Sequence, residues 1–132
     1  MRQAFVLLTT ICVLLLCAAC SKPTPEQQAI NTVMESYEAL LQGDYETFLN
    51  NRAGMNSIPD SYREQLLVSY KQFILQQQQA HQGIVSFQPT RALMDSTLDV
   101  IQVFLTVSYA DSTKEEIVVP MVENDEGMWK MK

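Results

Sequence analysis

Three side chains in this sequence are thiols, and all three, Cys12, Cys17 and Cys20, fall within the first twenty residues. Thiols can form disulfides, ligate metals, attack substrates or accept an acyl group, and the surrounding residues decide among these. An uncharged run rich in Leu and Val spans residues 4–16 behind one cation, Arg2, and the small residues Ala18 and Ala19 stand just before Cys20. A basic start, an apolar stretch and small residues at its end form an export signal. The stretch is shorter than the roughly 20 apolar residues of a membrane-spanning helix. Cys12 and Cys17 then act as small hydrophobic side chains inside the signal. An exported chain beginning at Cys20 has no second thiol, so no intramolecular disulfide can form.

Other chemistry is sparse. The single histidine, His81, follows the run Gln76-Gln77-Gln78-Gln79. At a helix C-terminus it reads as a group facing the helix dipole rather than as a catalytic base. No carboxylate partner for it can be picked out, and one histidine with one cysteine cannot make a structural zinc site. Asp125-Glu126 sits in a turn rather than a calcium loop, the four glycines are too scattered for a phosphate loop, and no nucleophile elbow is present. The expectation is no cofactor, no metal and no catalytic residue. A net charge of -6 lacks the basic footprint of a nucleic-acid binder.

The five residues Leu16-Cys17-Ala18-Ala19-Cys20 resemble the lipobox of bacterial lipoproteins. That resemblance implies cleavage before Cys20 and a diacylglyceryl group on its thiol. The family usually has Leu where Cys17 stands. Taking Cys17 as the acceptor would instead put bulky Leu16 at the cleavage position, so Cys20 is the assigned lipidation site. The alternative is an uncleaved membrane anchor. Residues 1–19 are thus read as the signal and 20–24 as a tether reaching roughly 15 Å when extended. Ser21 replaces the aspartate that marks inner-membrane retention in such proteins, so the resemblance implies an outer-membrane lipoprotein held to the bilayer through Cys20.

Positioning the remaining side chains falls to residues 25–132. Thr24-Pro25-Glu26-Gln27 opens a helix with a cap, a first-turn proline and a glutamine placed for a capping box. Ile30, Val33, Met34, Tyr37, Leu40 and Leu41 then recur at helical spacing. Gly43 ends this helix, and Asp44 opens a short one to about residue 50 with Tyr45, Phe48 and Leu49 inward. Residues 52–58 read as a loop or short edge strand. The longest helix runs from Pro59-Asp60 to about residue 82, striped by Tyr62, Leu66, Leu67, Tyr70, Phe73 and Ile74, with the glutamine run as its solvated end. Strands follow over 84–94, 98–109, 114–123 and 128–131, with Pro89 marking a bulge or an edge. In the second strand Ile101, Val103, Leu105, Val107 and Tyr109 alternate as the core row. Val100, Gln102, Phe104, Thr106 and Ser108 form a mixed opposite face, and no acid points inward from this strand.

Three helices on one face of a four- or five-stranded antiparallel sheet make an α+β domain. SYEALLQGDYETFL (36–49) resembles the opening of nuclear transport factor two-like domains, and NDEGMWKM (124–131) resembles their closing hairpin, with Trp129 in place. Within that superfamily, part of the cystatin-like group, the chain is most similar to the lumazine-binding-like bacterial lipoproteins. The resemblance implies a single domain over 25–132, a bent sheet forming a cone that is a pocket in some members, and a largely buried Trp129. Isomerases and dehydratases of the superfamily place Asp or His with Tyr inside the cone, and no such set stands out here. The expectation is therefore a lipid-anchored cell-envelope binding or interaction domain without catalytic activity. Either the cone takes a small apolar or aromatic ligand against Tyr37, Tyr70 and Phe73, or the mixed sheet face, through Val100 and Phe104, binds a second copy or another envelope protein. The alternatives are a pocket enzyme of isomerase or dehydratase type and an envelope inhibitor or immunity-type protein.

Overall fold

The computed structural model describes residues 21–132, so the signal assigned to residues 1–19 and the acceptor Cys20 lie outside the described residues. Helix α1 spans Pro25–Leu41 and is capped by Thr24, whose side chain accepts from the Gln27 amide at 3.2 Å. The capping box does not close, because the Gln27 side chain turns forward to Asn31 at 2.9 Å. Helix α2, Tyr45–Asn50, starts at Asp44, which accepts from the Thr47 amide and hydroxyl at 3.2 and 2.7 Å. Those two bonds hold the Asp44 carboxyl below its ordinary pKa. The next segment is neither plain loop nor strand. Arg52 makes one parallel bridge to Met131, and a 3-10 turn covers Met55–Ser57.

Helix α3 covers Asp60–His81. It ends where Gln82 enters the left-handed region at φ 63 and Gly83 follows at φ 109. At φ 109 the turn into the sheet needs glycine for its conformation, since a Cβ there would be strained, whereas the nearest atom it would meet, Gln78 Oε1, can swing aside. Strands β1 (Ile84–Asp95), β2 (Val100–Tyr109), β3 (Lys114–Glu123) and β4 (Trp129–Met131) form an antiparallel meander in the order β1-β2-β3-β4. The ladder slips between Pro89 and Arg91, which puts the expected bulge at Pro89.

Helix α1 supplies the helical half of the core. Its Ala29 and Val33, both 0% exposed, pack on the β2 row Ile101, Val103, Leu105, Val107 and Tyr109, joined by Met121 and Trp129. Ser36, also on the buried face, donates its hydroxyl to the Thr32 carbonyl at 2.6 Å and so leaves no orphaned donor. Trp129 is 6% exposed, as expected. The longest helix behaves differently from its reading. No residue of α3 is buried, and Tyr62 and Phe73 of its stripe stay 46% and 39% exposed. With α1 already on the sheet, α3 packs chiefly against α2 and β1, with its end tied to the β2–β3 turn through His81, and space remains beneath it.

Candidate functional site

That space is a cavity of about 410 Å3 between α3 and the sheet. Tyr37 of α1, Phe48 of α2, and Tyr70 and Phe73 of α3 form its helical wall, while Phe87, Val107, Tyr109 and Ile117 form the sheet side. The aromatic rings are linked in series. Phe87 lies 4.8 Å from Tyr37, Tyr37 meets Phe48 edge-on at 5.3 Å, and Phe48 meets Tyr70 edge-on at 4.8 Å. Edge-on and tilted contacts at these distances are the favourable arrangement for aromatic quadrupoles, so the wall is held by its own packing. A larger groove of about 500 Å3 runs between the outer surfaces of α1 and α2, but its lining is mostly polar and its Asp44 and Thr47 already satisfy each other. The apolar cavity is the better candidate.

Two polar arrangements flank it. In the first, Tyr109 donates its hydroxyl to Glu115 Oε1 at 2.5 Å. Burial first, then the bond and charge of Glu115 and the charge of Asp111, push the Tyr109 pKa up to about 12. Tyr109 therefore stays a protonated donor at neutral pH. In the second, Arg52 Nη1 donates to the Tyr70 hydroxyl at 2.9 Å. Arg52 belongs to a second recess of about 300 Å3, which shares Tyr37 and Phe48 as walls with the first. Burial raises the Tyr37 pKa and the Arg52 charge partly offsets that rise.

Glu115 is the site residue that the sequence reading passed over. It pairs with Val107 in the ladder and shares strand parity with Ile117, Val119 and Met121, the inward row of β3. That parity was the available signal, hidden because an acid near a strand's start reads as surface. His81 needs a correction too. It does have a carboxylate partner: its Nδ1 lies 3.0 Å from Asp111 Oδ2, and its ring stacks on Tyr109 at 4.1 Å. Asp111 also accepts from the Thr113 hydroxyl and amide, and these bonds, with a smaller contribution from His81, hold its pKa at about 2. The pair ties the end of α3 to the β2–β3 turn. His81 is not among the residues lining the cavity, which separates this pair from any ligand held there.

The structure thus brings Tyr37, Tyr70 and Phe73 around one cavity. Val100, expected on the mixed face, is buried. It is 3% exposed, and it opens β2 opposite Asp95, whose carboxylate folds back onto the amides of Thr97 and Leu98. Phe104 is half-buried on the outer face under the Arg91 guanidinium, 3.8 Å from its ring centroid. Among the described residues no group of three or more His, Cys, Asp or Glu is placed to hold a metal, and no helix is long and apolar enough to cross a membrane.

No family model matches the chain, and no curated protein matches it. A solved structure from Campylobacter jejuni, described as an NTF2-like transpeptidase, superposes with a TM-score of 0.56. The two chains are 12% identical, and the match covers 76% of this chain and 94% of the other. At that identity the likeness speaks for the fold alone. The fold is NTF2-like, that is, nuclear transport factor two-like, an α+β arrangement of three helices on a four-stranded antiparallel sheet.

Proposed function

We propose that this protein is a ligand-binding domain of the cell envelope, held at the outer membrane by lipid on Cys20, whose cavity beneath α3 takes a small aromatic or apolar molecule. One observation carries the reading of the cavity. An open-mouthed pocket of about 410 Å3 walled by Tyr37, Phe48, Tyr70, Phe73 and Phe87 falls within the size range of ligand pockets and is lined as they are, mainly by apolar and aromatic side chains. Binding is favoured over catalysis by the state of the polar groups. Tyr109 is locked as a donor to Glu115, and the His81–Asp111 pair stands outside the cavity lining. Replacing Ile117 with tryptophan fills the space from the sheet side. Calorimetry with the neutral probe 2-naphthamide should show binding to the wild type and none to the folded Ile117→Trp variant. A wild type that takes up no probe sinks the reading.

A second reading places a protein contact on the outer sheet face. Val118 lies directly opposite Phe104 and is 47% exposed, and Leu93, two ladder positions along and opposite Gln102, is 52% exposed. Side chains opposite one another share a face, so the three form one apolar strip. A second copy of the chain is the partner proposed for it.

A further inference from the structure

We infer that the ligand of this cavity is an amphiphile with a carboxylate head, and that Arg52 holds the head; the inference rests on the cavity reading above. Arg52 is half-buried, and its guanidinium carries a permanent charge and five N–H donors in a planar fork. One of those donors reaches the Tyr70 hydroxyl. Among the described residues no carboxylate lies within 4.0 Å of it, although Arg63 and Arg91 both have acid partners, Glu46 and Glu116. In a chain with 15 acids against 9 basic residues, an arginine set among aromatic rings without an acid is an anion site left open.

The position is built rather than accidental. The Arg52 amide donates to the Leu49 carbonyl at 3.0 Å, the Met131 amide to the Asn51 carbonyl at 2.8 Å, and the Ala53 amide to the Met131 carbonyl at 2.7 Å. The backbone carrying the guanidinium is therefore pinned on both sides before any ligand arrives. Arg52 stands in the smaller recess and Tyr70 lines the larger cavity, so their hydrogen bond marks the junction between the two. The hydroxyl of Tyr37, which walls both spaces, has no hydrogen-bond partner among the described residues and is a second donor for an anionic head. Glu115, which lines the larger cavity while Arg52 lines the smaller recess, repels an anion there. Charge thus sets one orientation, with the carboxylate at Arg52 and the apolar body along Phe48, Tyr70 and Phe73.

Calorimetry on the full chain with 2-naphthoate and its neutral isostere 2-naphthamide tests this. The wild type should prefer the carboxylate by about tenfold to a hundredfold, the range for a hydrogen bond to a charged group. Arg52→Gln should bring 2-naphthoate down to the level of 2-naphthamide, with far-ultraviolet circular dichroism reporting that the variant is folded. Should that variant fail to fold, salt titration of the wild type decides: 2-naphthoate must weaken with added salt while 2-naphthamide does not. Equal affinities in the wild type, salt-independent naphthoate binding, or a preference that survives Arg52→Gln overturns the inference and leaves the cavity reading standing. Binding of neither probe overturns both.

Discussion

Trp129→Ala is the substitution whose cost can be worked most fully from the packing. Strand β4 has three residues, and Trp129, at 6% exposure, is its largest contribution to the core. A tryptophan buries roughly 150–250 Å2, which at about 25 cal/mol per Å2 is about 4–6 kcal/mol as an upper bound. Aromatic-to-alanine changes in cores typically cost about 3–5 kcal/mol. That is a large share of the roughly 5–15 kcal/mol that holds a domain together. With a slope of about 1.5 kcal/mol per molar urea, the unfolding midpoint should fall by about 2–3 M. Trp129 is the only tryptophan, so its fluorescence disappears with it and far-ultraviolet circular dichroism must follow unfolding. Trp129→Phe, which keeps a ring, should recover more than half of the loss. A midpoint within about 0.3 M of wild type for the alanine variant, on the same slope scale, would show that β4 is an appendage and that the core closes without it.

Cys20→Ser should abolish incorporation of a labelled fatty-acid analogue and release the protein from membranes, whereas Cys17→Ser should leave both intact; label retained by the first variant refutes the lipidation site. Phe104→Glu should convert a self-associating protein to monomer by sedimentation without loss of helicity, and a wild type that is monomeric at every concentration refutes pairing through the sheet face. Tyr109 has its pKa raised to about 12, so its protonated form is favoured by folding. Its contribution to stability is complete below the unfolded value near 10 and is lost as pH rises through about 12. Glu115→Gln should lower that titration, read from tyrosinate absorbance, yet keep it above 10, because burial is the larger cause. Asp111 runs the other way: its carboxylate stabilises the fold above the ordinary carboxylate range and ceases to do so as pH falls through about 2. Asp111→Asn should therefore flatten the acid limb of a melting-temperature profile, and an unchanged limb counts against the bonds Asp111 accepts from Thr113 and His81.

Much of the scaffold was legible because its physics is local. The spacing of Ile30, Val33, Met34 and Tyr37 encodes one helical face, and the alternation from Ile101 to Tyr109 encodes a half-buried strand whichever neighbours it finds. What escaped depends on distant partners. The stripe on α3 looks like a core face, but α1 supplies the helical half of the core and α3 stands off the sheet across the cavity. His81 and Asp111 are thirty residues apart in sequence and meet only because α3 and the β2–β3 turn end at the same place. Arg52 carries no sequence signal at all, since its meaning comes from the rings around it and the acid that is missing. Tyr37, Tyr70 and Phe73 could be named in advance because they lay on inward faces of two helices, though the sequence did not say that they would surround a void rather than fill it.

The thin attachment of α3 has a thermodynamic consequence. Its 22 residues make a rod roughly 33 Å long, and a helix of ordinary composition at that length is close to the margin of independent stability in water. Lacking any buried side chain, it should open at a free energy well below that of the sheet and α1, with correspondingly faster amide hydrogen exchange. A molecule bound between α3 and the sheet touches both bodies at once. Its binding free energy then adds directly to the resistance of the helix against fraying, so occupancy of an interior space is transcribed into the order of a 22-residue exterior surface.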